Sequence, residues 1–187
     1  VVHNYQKTET NGESSVKNEV SLGGELKWAL GTNTLLDLTV NTDFAQAEVD
    51  RQVNNISRFS VFFPERRQFF LENASLFGAG LYSGSGASGD LNVIPFFSRR
   101  IGLDDAGAPV AIDAGFRLVH QSLQKSFGLM GIRESGSEQQ NDTYNFVGRY
   151  VNNFGKQNRL GAIATTRVAN GNTNIVSGVD GFFRLNK

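Results

Sequence analysis

The sequence predicts an all-β fold built from antiparallel strands, and two observations lead to that fold class. Apolar and polar residues alternate with a period of two over most of the chain, as they do along half-buried strands. Stretches rich in Gly, Asn and Ser, such as NNFGKQN and ANGNTN, separate these runs and are typical of turns. We count about eight such strands. Helical periodicity is not sustained, although residues 50–62 leave room for a short helical turn.

The first predicted hairpin joins EVSLGGELKWAL to TLLDLTVNTDF through the turn GTN. Its first strand runs from Glu19 to Leu30, with a polar face opposite an apolar face that carries Val20, Leu22, Leu26, Trp28 and Leu30. The second strand sets Leu36, Leu38, Val40 and Phe44 against Asp37, Thr39, Asn41 and Asp43. Each strand of this hairpin therefore has one apolar and one polar side.

Four further alternating runs follow later in the chain: VAIDAGFRLVHQ, TYNFVGRYV, RLGAIATTRV and NIVSGVDGFFRL. Their apolar faces include the aromatic residues Phe116, Tyr144, Phe146, Tyr150 and Phe183. Their polar faces carry Gly, Ser, Thr and Asn together with well-spaced charges at Asp113, Arg117, Arg149, Arg159, Arg167, Asp180 and Arg184. These runs complete the predicted sheet.

Two architectures fit such half-apolar strands: a soluble sandwich or small barrel with its apolar faces inside, and a transmembrane barrel with the polarity reversed. Three features favour the transmembrane barrel. The polar faces are poor in Lys and Glu, the apolar faces end in aromatic residues, and strands of about nine to eleven residues suit a tilted bilayer crossing. Soluble strands are usually about five to six residues long. A soluble β-sandwich binding module stays as the alternative.

Composition excludes several classes of function. The net charge of the 187 residues is zero, so no nucleic-acid partner is predicted. Cysteine is absent, which removes disulfides and thiolate metal sites. GLDDAG has too few ligands for a calcium loop, and LYSGSGASGD lacks the Lys-Ser/Thr of a phosphate loop, so we expect no metal and no cofactor. No run of eighteen apolar residues and no signal peptide are visible, and we expect any targeting segment to lie outside the chain.

One long segment, NTDFAQAEVDRQVNNISRFSVFFPERRQFFLENASLF, resembles the signature of the DUF5916 family. This is a family of large bacterial outer-membrane β-barrel proteins with an N-terminal domain similar to family 9 carbohydrate-binding modules. The matching positions are Asn41, Asp43, Phe44, Gln46, Glu48, Asp50, Asn55, Phe59, Phe62, Phe63, Pro64, Glu65, Arg67, Phe69, Phe70, Leu71 and Glu72. Thr42, Ala47, Gln68 and Asn73 depart from the family pattern. With IPFFSRRIGL, FGLMGIRE and GVDGFFRL, the resemblance extends over roughly residues 20–185.

The resemblance implies that the chain is the N-terminal part of a larger barrel, because family members are several hundred residues long. On this hypothesis residues 1–16 are a linker or leading strand, residues 17–187 belong to the barrel, and residues 50–80 are a lumenal or irregular, plug-like segment. Open strand edges are untenable in lipid, so partner strands are expected from elsewhere.

The resemblance also implies a location and a role. The location is the outer membrane of a Gram-negative envelope, with outer-membrane lipid as a partner and a glycan ligand or other envelope proteins as further candidates. We expect a non-enzymatic role in glycan or nutrient handling, or as a scaffold in a larger envelope complex.

The FFPERRQFFLE stretch places charges among phenylalanines. If it folds into the barrel, its charges must be paired, since buried charges persist only with partners. We therefore predict a lumenal charge network of Asp43, Glu48, Asp50, Glu65, Arg66, Arg67, Glu72, Arg99 and Arg100. We expect this network to have a structural role first, and a ligand or transport gate is the less favoured alternative.

A second hypothesis is an outer-membrane hydrolase acting on lipid or saccharide. His120, with Ser122 and Asp113 nearby in sequence, contains the residue types of an acyl-transfer centre. Period two, however, places His120 near the end of the apolar side of its strand, where a single imidazole at an interface is the simpler explanation. We assign no catalytic residues.

Overall fold

The computed structural model describes residues 2–10, 13–42, 65, 67–78, 95–103, 110–136, 141–155 and 157–184. This part of the chain confirms the all-β prediction and contains nine strands, against about eight expected. The strands are β1 (Val2–Thr10), β2 (Glu13–Ser21), β3 (Gly24–Gly31), β4 (Thr34–Thr42), β5 (Ile112–Gln121), β6 (Lys125–Glu134), β7 (Thr143–Phe154), β8 (Asn158–Ala169) and β9 (Asn172–Phe182). One helical turn, α1 (Gln68–Leu71), and two 3-10 turns, Ala74–Leu76 and Ser98–Arg100, lie between β4 and β5.

Seven strands form one antiparallel sheet in chain order, from β3 to β9, and β1 pairs with β2 in a separate hairpin. The seven-stranded sheet is unclosed, because β3 and β9 each have a neighbour on one side only. Tight turns join most of the strands. Between β8 and β9, Asn170 and Gly171 both adopt positive φ angles, 50° and 75°, as a two-residue type I′ turn requires.

The predicted strand from Glu19 to Leu30 is broken at Leu22 and Gly23, which is a correction to the sequence interpretation. At this point β2 ends and β3 begins. The side chain of Asn41 donates a 2.7 Å hydrogen bond to the carbonyl oxygen of Leu22. A Cβ atom at Gly23 would lie 2.2 Å from the carbonyl oxygen of Asn41, so only glycine allows this approach. Alternation alone did not reveal the break because it continues through these residues.

One face of the sheet, which we call the packed face, carries a row of paired residues that crosses all seven strands. The row runs through Lys27, Asp37, Arg117, Met130, Val147, Thr165 and Val176. The described part of the segment between β4 and β5, residues 65, 67–78, 95–103 and 110–111, packs on this face. Together they form the hydrophobic core of the described residues, with Phe69, Phe70, Leu76, Phe77, Ile101, Ile112, Val119, Met130, Ile132, Val147 and Ile163 buried in it.

The opposite side of the sheet, which we call the apolar face, exposes large hydrophobic side chains. Leu26 is 55% exposed, and Val179 near the other edge is 81% exposed. Residues that the sequence assigned to one apolar side, among them Leu26, Leu38, Phe116 and Phe146, do lie in one row here. The apolar face is defined by Leu26, Trp28, Leu38, Val40, Phe116, Leu129, Tyr144, Phe146, Tyr150, Leu160, Ile175 and Val179.

Candidate functional site

Arg117 links the packed face of the sheet to the segment between β4 and β5. Its guanidinium donates to Asp37 Oδ2 from Nε at 2.9 Å and from Nη2 at 2.5 Å. It also donates to Glu72 Oε2 at 2.8 Å, to the Glu72 carbonyl oxygen at 2.6 Å, and to the Phe69 carbonyl oxygen. These five hydrogen bonds use all the N–H groups of a guanidinium. Because the Arg117 residue is 0% exposed, this cluster fixes α1 to the sheet without help from solvent.

The charges around Arg117 are balanced. Lys27 forms an ion pair with Glu72, so two cations face the carboxylates of Asp37 and Glu72. We call these four residues the Arg117 cluster. The hydrogen bond from Lys27, with others from Gln68 and Arg117, lowers the pKa of Glu72 to about 2 against the opposing effect of burial. Paired charges and complete hydrogen bonding are the conditions under which a buried guanidinium is tolerated.

A second cluster connects the part of the segment that contains α1 to the part that contains the 3-10 turn Ser98–Arg100, and Arg67 is its centre. Arg67 donates to Glu65 Oε1 from Nε at 2.9 Å and to Glu65 Oε2 from Nη2 at 2.8 Å. It also donates to the carbonyl oxygens of Ser98 at 2.7 Å and Ile101 at 2.6 Å. Burial raises the pKa of Glu65, but hydrogen bonds from Arg67 and Ser98 outweigh it, so the pKa lies below its usual value. Arg67 therefore links residues that are more than thirty positions apart.

Aromatic side chains fill the space between the segment and the sheet. Arg67 lies 4.3 Å above the ring of Phe70, and Arg117 lies 4.9 Å from the ring centre of Phe69, so both rings contact a cation. At Gly128 of β6, an added Cβ atom would lie 2.8 Å from Phe77 Cζ and 2.9 Å from a Leu76 methyl carbon. The lack of a side chain at this position therefore allows the segment to approach the sheet closely.

These features describe an internal anchor between the segment and the sheet. Within the described residues, no group of three or more His, Asp or Glu side chains is arranged to hold a metal ion. No helix in this part of the chain is long and apolar enough to cross a membrane. The arrangement can bind a segment firmly to a sheet through paired charges and aromatic contacts.

A family model described as a domain of unknown function, DUF5916, matches residues 2–114, which is more than half of the chain. The chain belongs to the DUF5916 family. No match was found among the curated proteins or among the solved structures.

The DUF5916 match includes both clusters except for Arg117, which lies three residues beyond its end. It covers β1 to β4, the segment that carries Glu65, Arg67 and Glu72, and the first residues of β5. The resemblance read from the sequence over residues 115–185 is not covered by this match and stays a prediction.

The structure describes five of the nine residues in the predicted charge network. Glu65 and Arg67 contact each other, and Glu72 contacts Lys27 and Arg117. Arg99 and Arg100 lie in the 3-10 turn Ser98–Arg100, where Arg99 is half-buried and Arg100 is exposed. The other four, Asp43, Glu48, Asp50 and Arg66, lie outside the described residues.

Sequence reasoning did not assign Lys27, Asp37 and Arg117 to the network. The alternation did place Asp37 and Arg117 on polar faces, but their contact depends on the register of β4 against β5. About 70 residues separate these two strands, and no local signal fixes that register. The sequence did carry one signal for this contact, since the polar sides of the two strands bear opposite charges. Several other pairs of strands carried the same signal.

The residues of the hydrolase hypothesis are not brought together. The ring of His120 shares a 2.9 Å hydrogen bond with Thr34 Oγ1 and stacks on Phe127 at 5.2 Å. Ser122 Oγ donates to the Lys125 carbonyl oxygen at 2.8 Å. Asp113 accepts a hydrogen bond from Ser135, near the other end of β5. A strand rises about 3.3 Å per residue, so Asp113 and His120 are on the order of 20 Å apart along β5.

Proposed function

We propose that this chain is part of a bacterial outer-membrane β-barrel. In this proposal the apolar face contacts lipid, and the packed face lines an enclosed interior that the segment between β4 and β5 fills. The single observation that carries the proposal is the collection of exposed apolar side chains on one side of all seven strands.

The size of the apolar face supports a lipid contact. The twelve large side chains of the apolar face together expose a surface area on the order of 1,000 Å². The largest apolar patch of a soluble monomer is smaller, about 300–600 Å². Removing the exposed area of the apolar face from water stabilises the protein by roughly 25 kcal/mol at about 25 cal/mol per Å². A soluble sandwich would cover this face with a second sheet, and no element of the described chain does so.

The position of charges supports the same orientation. The register places Lys125 and Arg133 on the apolar side, and both lie within two residues of an end of β6. Asp37, Arg117 and Arg149 lie on the packed side, where each has an opposite charge as partner. Strands β5 to β9 are 10 to 12 residues long, which suits a tilted bilayer crossing of about 9–11 residues.

The clusters around Arg67 and Arg117 support a structural role for the interior segment. Such a plug-like segment is consistent with a non-enzymatic envelope protein that handles glycans or nutrients, or that acts as a scaffold for other envelope proteins. The separation of His120, Ser122 and Asp113 gives no support to the hydrolase alternative.

Insertion into lipid vesicles tests the proposal. A longer protein that contains this chain, with partner strands that close the open edges of the sheet, is expected to float with vesicles and to resist extraction by alkaline carbonate. The variant Phe146→Arg places a charge on the apolar face, and we expect it to destabilise the inserted state by about 2–4 kcal/mol near the bilayer centre. The variant Asn172→Arg, at an exposed strand end, is the matched control and should insert like the parent. A parent chain that stays monomeric in buffer without detergent or vesicles would refute the barrel.

A further inference from the structure

The two ends of the seven-stranded sheet differ in the length of their connections. At one end, which we call the tight-turn end, β3 joins β4, β5 joins β6 and β7 joins β8 through two or three residues each. At the other end, which we call the long-loop end, about 70 residues connect β4 to β5 and eight connect β6 to β7. The two-residue turn from β8 to β9 also lies there. Both long connections of the described sheet are therefore at the same end.

The turns of the tight-turn end are hydrogen-bonded to their neighbours. The backbone N–H of Asn153 in β7 donates to the Gln124 carbonyl oxygen at 2.7 Å, and its side chain donates to the Leu123 carbonyl oxygen at 3.1 Å. The backbone N–H of Gln121 donates to the Asn33 carbonyl oxygen at 2.9 Å, which links the β3–β4 turn to β5. This end of the sheet is therefore a compact rim of short turns.

The apolar face carries a row of rings near the tight-turn end. The register places His120, Phe127 and Tyr150 side by side on β5, β6 and β7. The ring of His120 stacks on Phe127 and shares a hydrogen bond with Thr34. Two residues beyond this row, Lys125 is exposed on the same side of β6. Rings with a polar group and long cationic side chains beside an apolar surface are typical of the lipid head-group region.

Strand β6 carries a second cation on this side, Arg133, near the long-loop end. Arg133 is paired with Tyr144 of β7 in the register and forms an ion pair with Asp142 of the β6–β7 connection. Lys125 and Arg133 are eight residues apart, which is about 26 Å along a strand that rises about 3.3 Å per residue. At a tilt of about 40°, they are about 20 Å apart across the bilayer, and the apolar band of such a barrel is about 25 Å tall. Both side chains are long enough to reach the head groups, so the two ends of the sheet suit opposite sides of a membrane.

The segment between β4 and β5 enters the packed side from the long-loop end. It leaves the sheet after Thr42 and rejoins it at Ile112, and both of these residues are at that end. Gly102 lies beside Ile112, since an added Cβ atom there would be 3.6 Å from Ile112 Cδ1. Phe77 packs against Gly128, which is three residues from the start of β6 at the tight-turn end. The described part of the segment therefore extends from the long-loop end nearly to the other end.

We propose that the tight-turn end faces the periplasm and that the long-loop end faces the outside of the cell. In barrels of the bacterial outer membrane, the short turns face the periplasm and the longer loops face outwards. The row of His120, Phe127 and Tyr150 then contacts the phospholipid head groups of the inner leaflet, and the segment between β4 and β5 enters the interior from the cell surface. This inference rests on the proposed barrel and deepens it by giving the lipid layer that contacts each end.

Labelling of single cysteines tests the orientation, because the chain contains no cysteine of its own. The experiment uses a longer protein that contains this chain, produced in the outer membrane of a Gram-negative host, with any further cysteines replaced by serine. Leu123→Cys places a thiol at the tight-turn end and Asn141→Cys places one at the long-loop end, and both positions are exposed. Gln124→Cys and Asn172→Cys, which are also exposed, repeat the test at each end if a first variant fails to reach the membrane.

The probe is a maleimide attached to a polyethylene glycol chain that is too large to pass through porins. We expect Asn141→Cys to react with it in intact cells. Leu123→Cys is expected to react only after the outer membrane has been opened. Reaction of Leu123→Cys in intact cells, or protection of Asn141→Cys there, overturns the orientation.

Ser177→Cys is the control for the membrane itself, because Ser177 is exposed on the apolar face in the row of Gly148 and Ala164. In lipid its thiol should stay unreactive until the protein is extracted and unfolded. If Ser177→Cys is protected while the two ends react in the wrong order, the orientation is wrong and the barrel proposal stands. If Ser177→Cys reacts as readily as Leu123→Cys in opened cells, the apolar face is not in lipid, and the barrel proposal is wrong together with the orientation.

Discussion

Replacing Arg117 with methionine is the sharpest test of how the interior segment is held. The substitution removes five hydrogen bonds and leaves Asp37, which is 2% exposed, without its cation. Removing one partner of a buried ion pair costs about 3–5 kcal/mol, because the remaining charge stays desolvated. We therefore expect Arg117→Met to reduce the free energy of unfolding by about 4 kcal/mol.

Urea unfolding in detergent measures this loss. The only tryptophan of the sequence, Trp28, lies in β3 beside β4 and reports on this part of the sheet by its fluorescence. With a slope of about 2 kcal/mol per M, the midpoint should fall by about 2 M urea. The variant Arg133→Met removes an exposed arginine, whose surface ion pair contributes little to stability, and should unfold at nearly the same urea concentration as the parent.

A double variant separates the loss of contacts from the effect of an unpaired charge. Arg117→Met combined with Asp37→Leu removes both charges, so we expect it to regain part of the stability that Arg117→Met loses. If Arg117→Met unfolds at the same urea concentration as Arg133→Met, then Arg117 does not anchor the segment, and the role assigned to the Arg117 cluster is wrong.

Two further predictions concern the same interface. Because the folded pKa of Glu72 is about 2 and its ordinary value is 4.5, its ionised form contributes stability above about pH 4.5 that is lost as the pH falls from there towards 2. The stability difference between parent and Glu72→Gln, followed by urea unfolding at several pH values, should therefore shrink over that range; a constant difference would contradict the ion pair. Gly128→Ala places a Cβ atom against Phe77 and should destabilise the chain by about 1–3 kcal/mol, whereas Gly24→Ala, with open space around it, should not. Equal thermal unfolding of the two alanine variants would argue against close packing at Gly128.

The sheet could be predicted from the sequence because its strands are long and their alternation is regular. Each side chain between Leu36 and Val40 lies on the side that period two assigns to it, and the same is true of Arg117 and Leu118. The two-residue turn at Asn170 and Gly171 was equally visible, since both residue types tolerate positive φ angles. Strand alternation and tight turns are determined by residues that are close together in the sequence, so a single sequence is enough to predict them.

The Arg117 cluster could not be predicted to the same degree. Glu72 was identified from its place among phenylalanines, but its partners Lys27 and Arg117 come from two strands, one on each side of β4. Their meeting depends on long-range register and on how the segment folds back over the sheet. The break at Gly23 was missed for a related reason, because the carbonyl of Asn41 that requires it belongs to the adjacent strand.

The long connection between β4 and β5 has a consequence for the order of folding. Every other pairing in the seven-stranded sheet joins strands separated by two to eight residues, whereas β4 and β5 enclose a loop of about 70. Closing that loop costs about 3 kcal/mol more in chain entropy than closing a three-residue turn. We expect the β3–β4 hairpin and the β5–β9 meander to form as separate nuclei and to join last. The Asp37–Arg117 ion pair connects β4 to β5, so we expect it to form late in folding and to stabilise the contact between the two halves of the sheet.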